Sequence, residues 1–325
     1  MNAETKIIFS PTTIDSSIST IILPKRFSAT NAIFLQQEIE QLLQTNKNIR
    51  NITIDCINNQ FIDSSGIGAL VKCFKLCKDN NIQLNLSNTR AQITAVLEMT
   101  GLDKLLVIEQ NNNQENKAAL PATHPSIRCR SKRLIDIFGS LTGLLITAVL
   151  FIPISIAIKI ESSGPIFFSQ TRMGWLGSRF KIFKFRTMVV DAEEKKHEIK
   201  NEAQGAIFKC ADDPRITRVG KFLRKTSLDE FPQFLNVLTG SMSLVGTRPP
   251  TPDEIAQYHV PHWQRLDVKP GITGEWQVNG RSKVKNFEDI IQLDLDYQKK
   301  WSLAYDLKLI LKTVIVIFSK KSGAM

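Results

Sequence analysis

Twenty-two consecutive residues, Ile137 to Ile158, carry no charge. A chain with such a run must give it to lipid or to the centre of a protein core. The length is enough for a helix that crosses the hydrocarbon of a bilayer. Arg128, Arg130, Lys132 and Arg133 precede the run and Lys159 follows it. A crossing helix would separate the two flanks. The positive-inside rule would then keep the N-terminal flank inside and send the rest of the chain out. Pro153 lies within the run, where its ring and missing N–H break or kink a helix. A helix–break–helix hairpin that leaves by the face it entered, broken at Pro153, keeps both flanks inside. A fully buried core helix is the plainer alternative. Near the C-terminus, Tyr305 to Phe318 is apolar with Lys308 and Lys312 four apart, which fits an interfacial or docking helix.

The charge is one-sided. Residues 1–125 hold 11 Lys/Arg and 11 Asp/Glu, so the whole net charge of +11 falls on residues 126–325. A basic half of this kind suits polyanions, anionic lipid or nucleotide-linked substrates. No zinc finger, basic zipper or helix-turn-helix pattern accompanies it, so nucleic acid is not expected as a partner. The five cysteines form no Cys-x-x-Cys pair, which argues for a reducing compartment without a disulfide frame or a zinc site. His259 and His262 are three apart but lack further metal-type neighbours. The start of the chain has no signal-peptide pattern.

Between about residues 18 and 108, strand and helix patterns alternate. Ile18–Leu23, Ile52–Ile54 and Ile82–Leu86 read as strands, and Asn31–Thr45 as a helix with Ile39, Leu42 and Leu43 inward. Ile67, Leu70, Val71, Phe74 and Cys77 recur at helical spacing, and Ala91–Met99 suggests another helix. The reading is a small α/β sandwich. It holds no Gly-rich phosphate loop with a lysine, so it is not a nucleotide hydrolase. Asn111 to Ser126 is polar with Pro121 and Pro125, and reads as a linker.

The chemistry concentrates at Ser227-Leu228-Asp229-Glu230-Phe231-Pro232-Gln233. Ser227 and Glu230 have capping-box spacing, so a helix is expected to start there with both carboxylates in its first turn. A helix start favours anions and phosphate. Of two adjacent carboxylates, one can attack phosphorus while the other holds a divalent metal. An ordinary acidic helix start is the competing reading of the tetrapeptide alone.

The surroundings narrow this. Asp213-Pro214-Arg215-Ile216-Thr217, Gly220, Leu223-Arg224, Asn236-Val237-Leu238, Met242-Ser243-Leu244-Val245-Gly246 and Arg248-Pro249 stand around that stretch. Gln170, Arg172, Lys184-Phe185-Arg186-Thr187-Met188, Lys269-Pro270-Gly271-Ile272-Thr273-Gly274, Trp276-Gln277-Val278 and Gly280-Arg281 stand further out. Together, over roughly residues 128 to 325, they resemble the bacterial sugar transferases, the monotopic polyprenyl-phosphate phosphoglycosyl transferases. Thr247 departs from the pattern, where the family usually has proline. The resemblance implies a membrane hairpin and transfer of a sugar-1-phosphate from a UDP-sugar to undecaprenyl phosphate, with release of UMP. It implies Asp229 as nucleophile through an aspartyl phosphosugar, and Glu230, with Asp229 beside it, as the Mg²⁺ site. It places the enzyme on the cytoplasmic face of the bacterial inner membrane, at the first membrane step of exopolysaccharide, O-antigen or other glycoconjugate synthesis. Lys184, Arg186, Arg224, Arg248 and Arg281 are the cations expected around phosphates.

Phe61-Ile62-Asp63-Ser64-Ser65-Gly66-Ile67-Gly68 lies at a strand-to-helix junction and resembles the STAS family of sulphate transporters and anti-sigma factor antagonists. In that family a serine of this motif is a kinase target, which makes Ser65, then Ser64, the candidates for phosphorylation. A kinase, a phosphatase or an anti-sigma-like protein is the partner class so implied, and a homo-oligomer is compatible with it. The plain alternative is a serine helix cap. The expected organisation is therefore a STAS-like regulatory or interaction domain over 1–110 and a linker over 111–126. A basic flank with the re-entrant membrane hairpin over 127–162 and a helix-rich mixed α/β catalytic domain over 163–325 follow. Two rival readings are a catalytically silent membrane scaffold and an anion transporter. The Asp229-Glu230 pair argues against the first. A single hydrophobic segment argues against the second.

Overall fold

The computed structural model describes residues 8–10, 18–110, 120–203, 205–208, 210, 212–279, 284 and 286–318. They form two compact units. The first comprises Met1–Thr123 with the short segments Leu176–Ser178 and Tyr258–Asp267, and the second takes in the rest. Residues 111–119 of the expected linker lie outside the described residues.

The first unit runs β1 (Ile8–Ser10), β2 (Ile18–Ile22), β3 (Arg26–Phe27), α1 (Ala29–Thr45), β4 (Asn51–Asp55), β5 (Phe61–Ile62), α2 (Ser64–Asp79), β6 (Gln83–Thr89), α3 (Ala91–Thr100) and β7 (Val107–Gln110). Its main sheet has the order β1-β2-β4-β6-β7, antiparallel only at β1. Ile21 pairs with Ile54, and Ile54 with Leu86. Along β4, Ile52 and Ile54 are buried while Asn51, Thr53 and Asp55 are not, so helices cover one face of the sheet. Each such buried side chain contributes about 1.5–3 kcal/mol. Helix α1 buries Leu35 and Ile39, whereas Leu42 and Leu43, expected inward, are half-buried near its fraying end. This is the α/β sandwich that the alternating pattern predicts.

The second unit begins with α4 (Pro125–Arg128) and the long α5 (Arg130–Glu161). An antiparallel hairpin follows, β8 (Phe167–Met173) with β9 (Arg179–Phe185). Next come α6 (Arg218–Thr226), α7 (Phe234–Thr239), β10 (Ser243–Val245) and α8 (Pro252–Ala256). Strand β11 (Gly271–Thr273) pairs in parallel with β10, and α9 (Glu275–Asn279), α10 (Phe287–Lys300) and α11 (Leu303–Phe318) complete the unit. The fold is mixed α/β and rich in helix, as expected.

Helix α5 is the one described helix long and apolar enough to cross a membrane. At 32 residues it measures about 48 Å. It runs through Pro153 as a single helix, where the sequence reading expects a break. A proline removes one hydrogen bond and can bend a helix without ending it. Packing on the far side supports this turn: Ile154 and Ile158 form a core with Phe185 and Leu223.

One face of α5 is bonded to the rest of the unit from end to end. Lys132 Nζ pairs with Asp306 at 2.6 Å and donates to the Val245 carbonyl at 2.9 Å. Asp136 accepts from Ser243 Oγ and the Leu244 N–H. Gly143 lies so close to Phe234 that a β-carbon there would fall 2.4 Å from the ring. Glu161 accepts from the N–H groups of Arg218 and Val219, the first residues of α6. The opposite face exposes Leu134, Phe138, Leu141, Leu145, Val149, Ile152, Ile156 and Ile160, one helical stripe. Helix α11 exposes a shorter one, Leu307, Leu311, Val314 and Ile315.

Candidate active site

The Ser227–Glu230 stretch starts a helix, but not by the capping box that the spacing suggests. Ser227 is in the left-handed region, at φ 58°, and closes α6, its N–H donating to the Arg224 carbonyl at 3.1 Å. Its side chain does not cap the turn that follows. Leu228–Gln233 is a tight 3-10 turn, and α7 follows it directly. The left-handed region costs a non-glycine residue about 1–2 kcal/mol. Strain of this kind persists where the surroundings over-determine it, often at functional sites. Here it reverses the chain within one residue and brings Asp229 and Glu230 back beside α6 and β9.

Asp229 is buried, at 6% exposure, and Glu230 is half-buried. Lys184, from β9, reaches Glu230 Oε1 with Nζ at 2.9 Å. Arg224, from the last turn of α6, donates from Nε to Thr187 Oγ1 at 3.0 Å. Burial pulls the Arg224 guanidinium down from its usual value, while the negative charges of Asp229, Asp213 and Glu230 oppose that shift. A guanidinium remains cationic throughout. Arg224 is thus a partly desolvated cation held among three carboxylates. Asp213, whose charge Arg224 feels, is itself held by Arg215 in a buried bidentate pair, closest at 2.7 Å. Arg215 also donates to the Ala192 carbonyl. The hydrogen bond from Arg215 holds the Asp213 carboxyl below the usual carboxylate range. Gly220 allows α6 to approach this closely, since a β-carbon there would meet the Thr187 carbonyl at 2.0 Å.

Of the cations expected at phosphates, Lys184 and Arg224 converge on the carboxylates. Arg186 does not: its two terminal nitrogens donate to the Ser162 and Ser163 carbonyls at 2.9 and 2.6 Å, closing the end of α5. Arg248 forms a bidentate pair with Glu254, at 2.6 and 2.9 Å, and lies 5.8 Å from the Trp276 ring centroid. Glu254 is already part of the capping box of α8 with Thr251. Arg281 lies outside the described residues. Thr247, at the family's proline position, is buried and bridges Pro270 in parallel. Ser64 and Ser65 belong to the first unit, where both are fully buried.

The sequence reading assigns no role to Thr187, Asp213, Arg215 or Glu161, although these orient the site cations and the helix that carries them. The Asp-Pro-Arg run was the available signal. The same holds for the anchor beneath α5, where Asp306 accepts from Lys132, Tyr297 and Trp301.

No group of three or more metal-type side chains occurs among the described residues. Two adjacent carboxylates, one of them paired with lysine, nevertheless fit Mg²⁺. That ion keeps several waters and is commonly held by one or two carboxylates together with substrate phosphates.

A family model described as bacterial sugar transferase matches residues 127–320, and one described as STAS domain matches residues 11–115. Galactosyl transferase CpsE of Streptococcus agalactiae is 49% identical over 189 residues, 58% of this chain and 42% of that protein. UDP-glucose:undecaprenyl-phosphate glucose-1-phosphate transferase of Escherichia coli is 40% identical over 199 residues, 59% of this chain and 41% of that protein. Exopolysaccharide production protein ExoY of Rhizobium meliloti is 38% identical over 190 residues, 57% of this chain and 84% of that protein. The chain therefore spans less than half the length of the first two relatives.

Proposed function

This chain belongs to the bacterial sugar transferase family, and from that premise we propose that it moves a sugar-1-phosphate from a UDP-sugar to undecaprenyl phosphate. Asp229 carries the reading, as a buried carboxylate presented by a left-handed turn between Arg224 and the Lys184–Glu230 pair.

In the first step a carboxylate oxygen of Asp229 attacks the phosphorus that bears the sugar. The bond from that phosphorus to the bridging oxygen breaks, and UMP leaves with the electron pair. In the second step an oxygen of the lipid phosphate attacks the same phosphorus and displaces the Asp229 carboxylate. Arg224, held by Thr187, offers fixed positive charge to the phosphoryl oxygens in both steps. Lys184 gives up Glu230 as the diphosphate enters and turns to phosphate itself. Mg²⁺ bound at Glu230 and Asp229 would neutralise the diphosphate and its leaving group.

The acceptor is a lipid, and we place the enzyme on the cytoplasmic face of the bacterial inner membrane; α5 supports the monotopic part of that reading. A crossing helix carries its middle away from the elements on the water side. Helix α5 instead keeps one face on its own unit over its whole length and turns an apolar stripe outward. That is the pattern of a segment lying in the membrane face and leaving on the side it entered. The STAS domain supplies regulation or docking for the same glycan assembly step.

The direct test incubates detergent-solubilised protein with undecaprenyl phosphate and a panel of UDP-sugars. Release of UMP with one sugar supports the reaction. No UMP with any of them, from solubilised protein that is folded, leaves the silent scaffold.

A further inference from the structure

A helix lying on one face of a sheet buries one stripe. The first turns of α2 are buried all round, with Ser64, Ser65, Gly66, Ile67, Gly68, Ala69 and Leu70 all inaccessible. The outer covering comes from the segment Tyr258–Asp267, which belongs to this same compact unit. Trp263, 3% exposed, sits directly on Gly68, where a β-carbon would fall 2.5 Å from the indole. Asp267 accepts the Ser64 N–H at 3.0 Å. Thr123 Oγ1 donates to the Asp267 carbonyl. The fit is incomplete: the Trp263 indole N–H and the Ser65 hydroxyl are buried without a hydrogen-bond partner among the described residues. Buried polar groups normally find partners, so each of these orphans calls for an explanation.

Two carboxylates meet at this helix start, because Asp63 accepts the Gly66 N–H at 2.9 Å. Asp63 faces Arg26 and the backbone N–H groups of Ala29, Ser65 and Gly66. Asp267 faces Asp63 and Ser64. Arg26 also lies over the Phe61 ring, and Arg265, on the covering segment, donates to the Tyr258 hydroxyl.

We propose that Tyr258–Asp267 is a releasable cover over the Asp63-Ser64-Ser65-Gly66 motif, seated by Trp263 and Asp267, and that the serines meet solvent only when it lifts. The segment joins the transferase sequence at both ends, so lifting it ties the state of the motif to that region of the chain. The inference does not depend on the transfer reaction.

The cover is also sensitive to pH. Burial raises both carboxyls above the usual range, and the charge of Asp63 raises Asp267 further. The docked state therefore holds protons that the lifted state releases. Docking is favoured at low pH and weakens as pH climbs from the ordinary carboxylate range toward about 7.

Amide hydrogen exchange on the full-length protein in detergent tests this. After correction for intrinsic rates, protection at Ser64–Gly68 should fall on the order of tenfold between about pH 5.5 and about pH 8. Asp267→Asn keeps the acceptor but not the charge, and should lose most of the pH response, leaving the smaller part that Asp63 carries. Trp263→Ala should lose protection at both values while the amides of β4 stay protected. Wild-type protection that does not vary with pH, a pH response as large in Asp267→Asn as in the wild type, or full protection in Trp263→Ala overturns the proposal. Should Trp263→Ala expose β4 as well, Asp267→Asn alone decides.

Discussion

Lys184 Nζ stands 2.9 Å from Glu230 Oε1, joining a strand residue to a turn residue 46 positions later. Both side chains are about a quarter exposed, so the pair contributes little to stability and can open. In the proposed reaction the pair would hold Glu230 ready for a metal. Glu230→Gln should raise the Mg²⁺ concentration for half-maximal UMP release by at least about tenfold, with the melting temperature almost unchanged. A Mg²⁺ titration of the variant checks this, and an unaltered curve removes Glu230 from the metal site.

Ser227 should tolerate glycine and resist branching. Ser227→Gly relieves the left-handed backbone and should keep the fold. Ser227→Val should cost about 1–2 kcal/mol beyond it and reduce transfer by displacing Asp229. Urea unfolding of the second unit, with rates measured beside it, separates the two effects.

The Lys132–Asp306 pair anchors the start of α5, with both side chains under a tenth exposed. Asp306→Ala leaves a buried lysine unpaired and should destabilise the unit by about 3–5 kcal/mol. Adding Lys132→Met should recover a large part of that loss. Additive losses in this double-mutant cycle would mean that the pair is not coupled.

The outward stripe of α5 should govern membrane association. Replacing Phe138, Leu145 and Val149 together by lysine puts three charges on the side proposed to face lipid, where charged side chains are costly. The variant should move from the membrane fraction to the soluble one. Fractionation after cell lysis reads this directly, and full membrane retention contradicts the proposed seat.

The first unit was legible because period-two and period-3.6 patterns are local: Ile52 and Ile54 alternate, and of the α2 positions read as inward Ile67, Leu70 and Cys77 are buried, with Val71 and Phe74 half-buried. The Ser227 spacing misled because Ser-x-x-Glu describes a capping box equally well when the serine is left-handed and belongs to the helix before it. Residue type marked Arg186 and Arg248 as cations but not what they meet. Carbonyls at the end of α5 and the Glu254 carboxylate take them up. The cover over α2 could not be seen at all, since Ser64 and Asp267 are 203 positions apart. Pro153 shows the limit of a breaker rule, because tertiary packing on both sides carries the helix through it.

The proposed role of Asp229 as nucleophile is checked by trapping the covalent intermediate. Protein incubated with its UDP-sugar and Mg²⁺, without lipid acceptor, is quenched and digested, and the peptide masses are read. A phosphosugar adduct is expected on the peptide containing Asp229, discharged by adding undecaprenyl phosphate and missing in Asp229→Asn, which should be inactive yet as stable as the parent. An adduct on another residue, or undiminished transfer by Asp229→Asn, would contradict it.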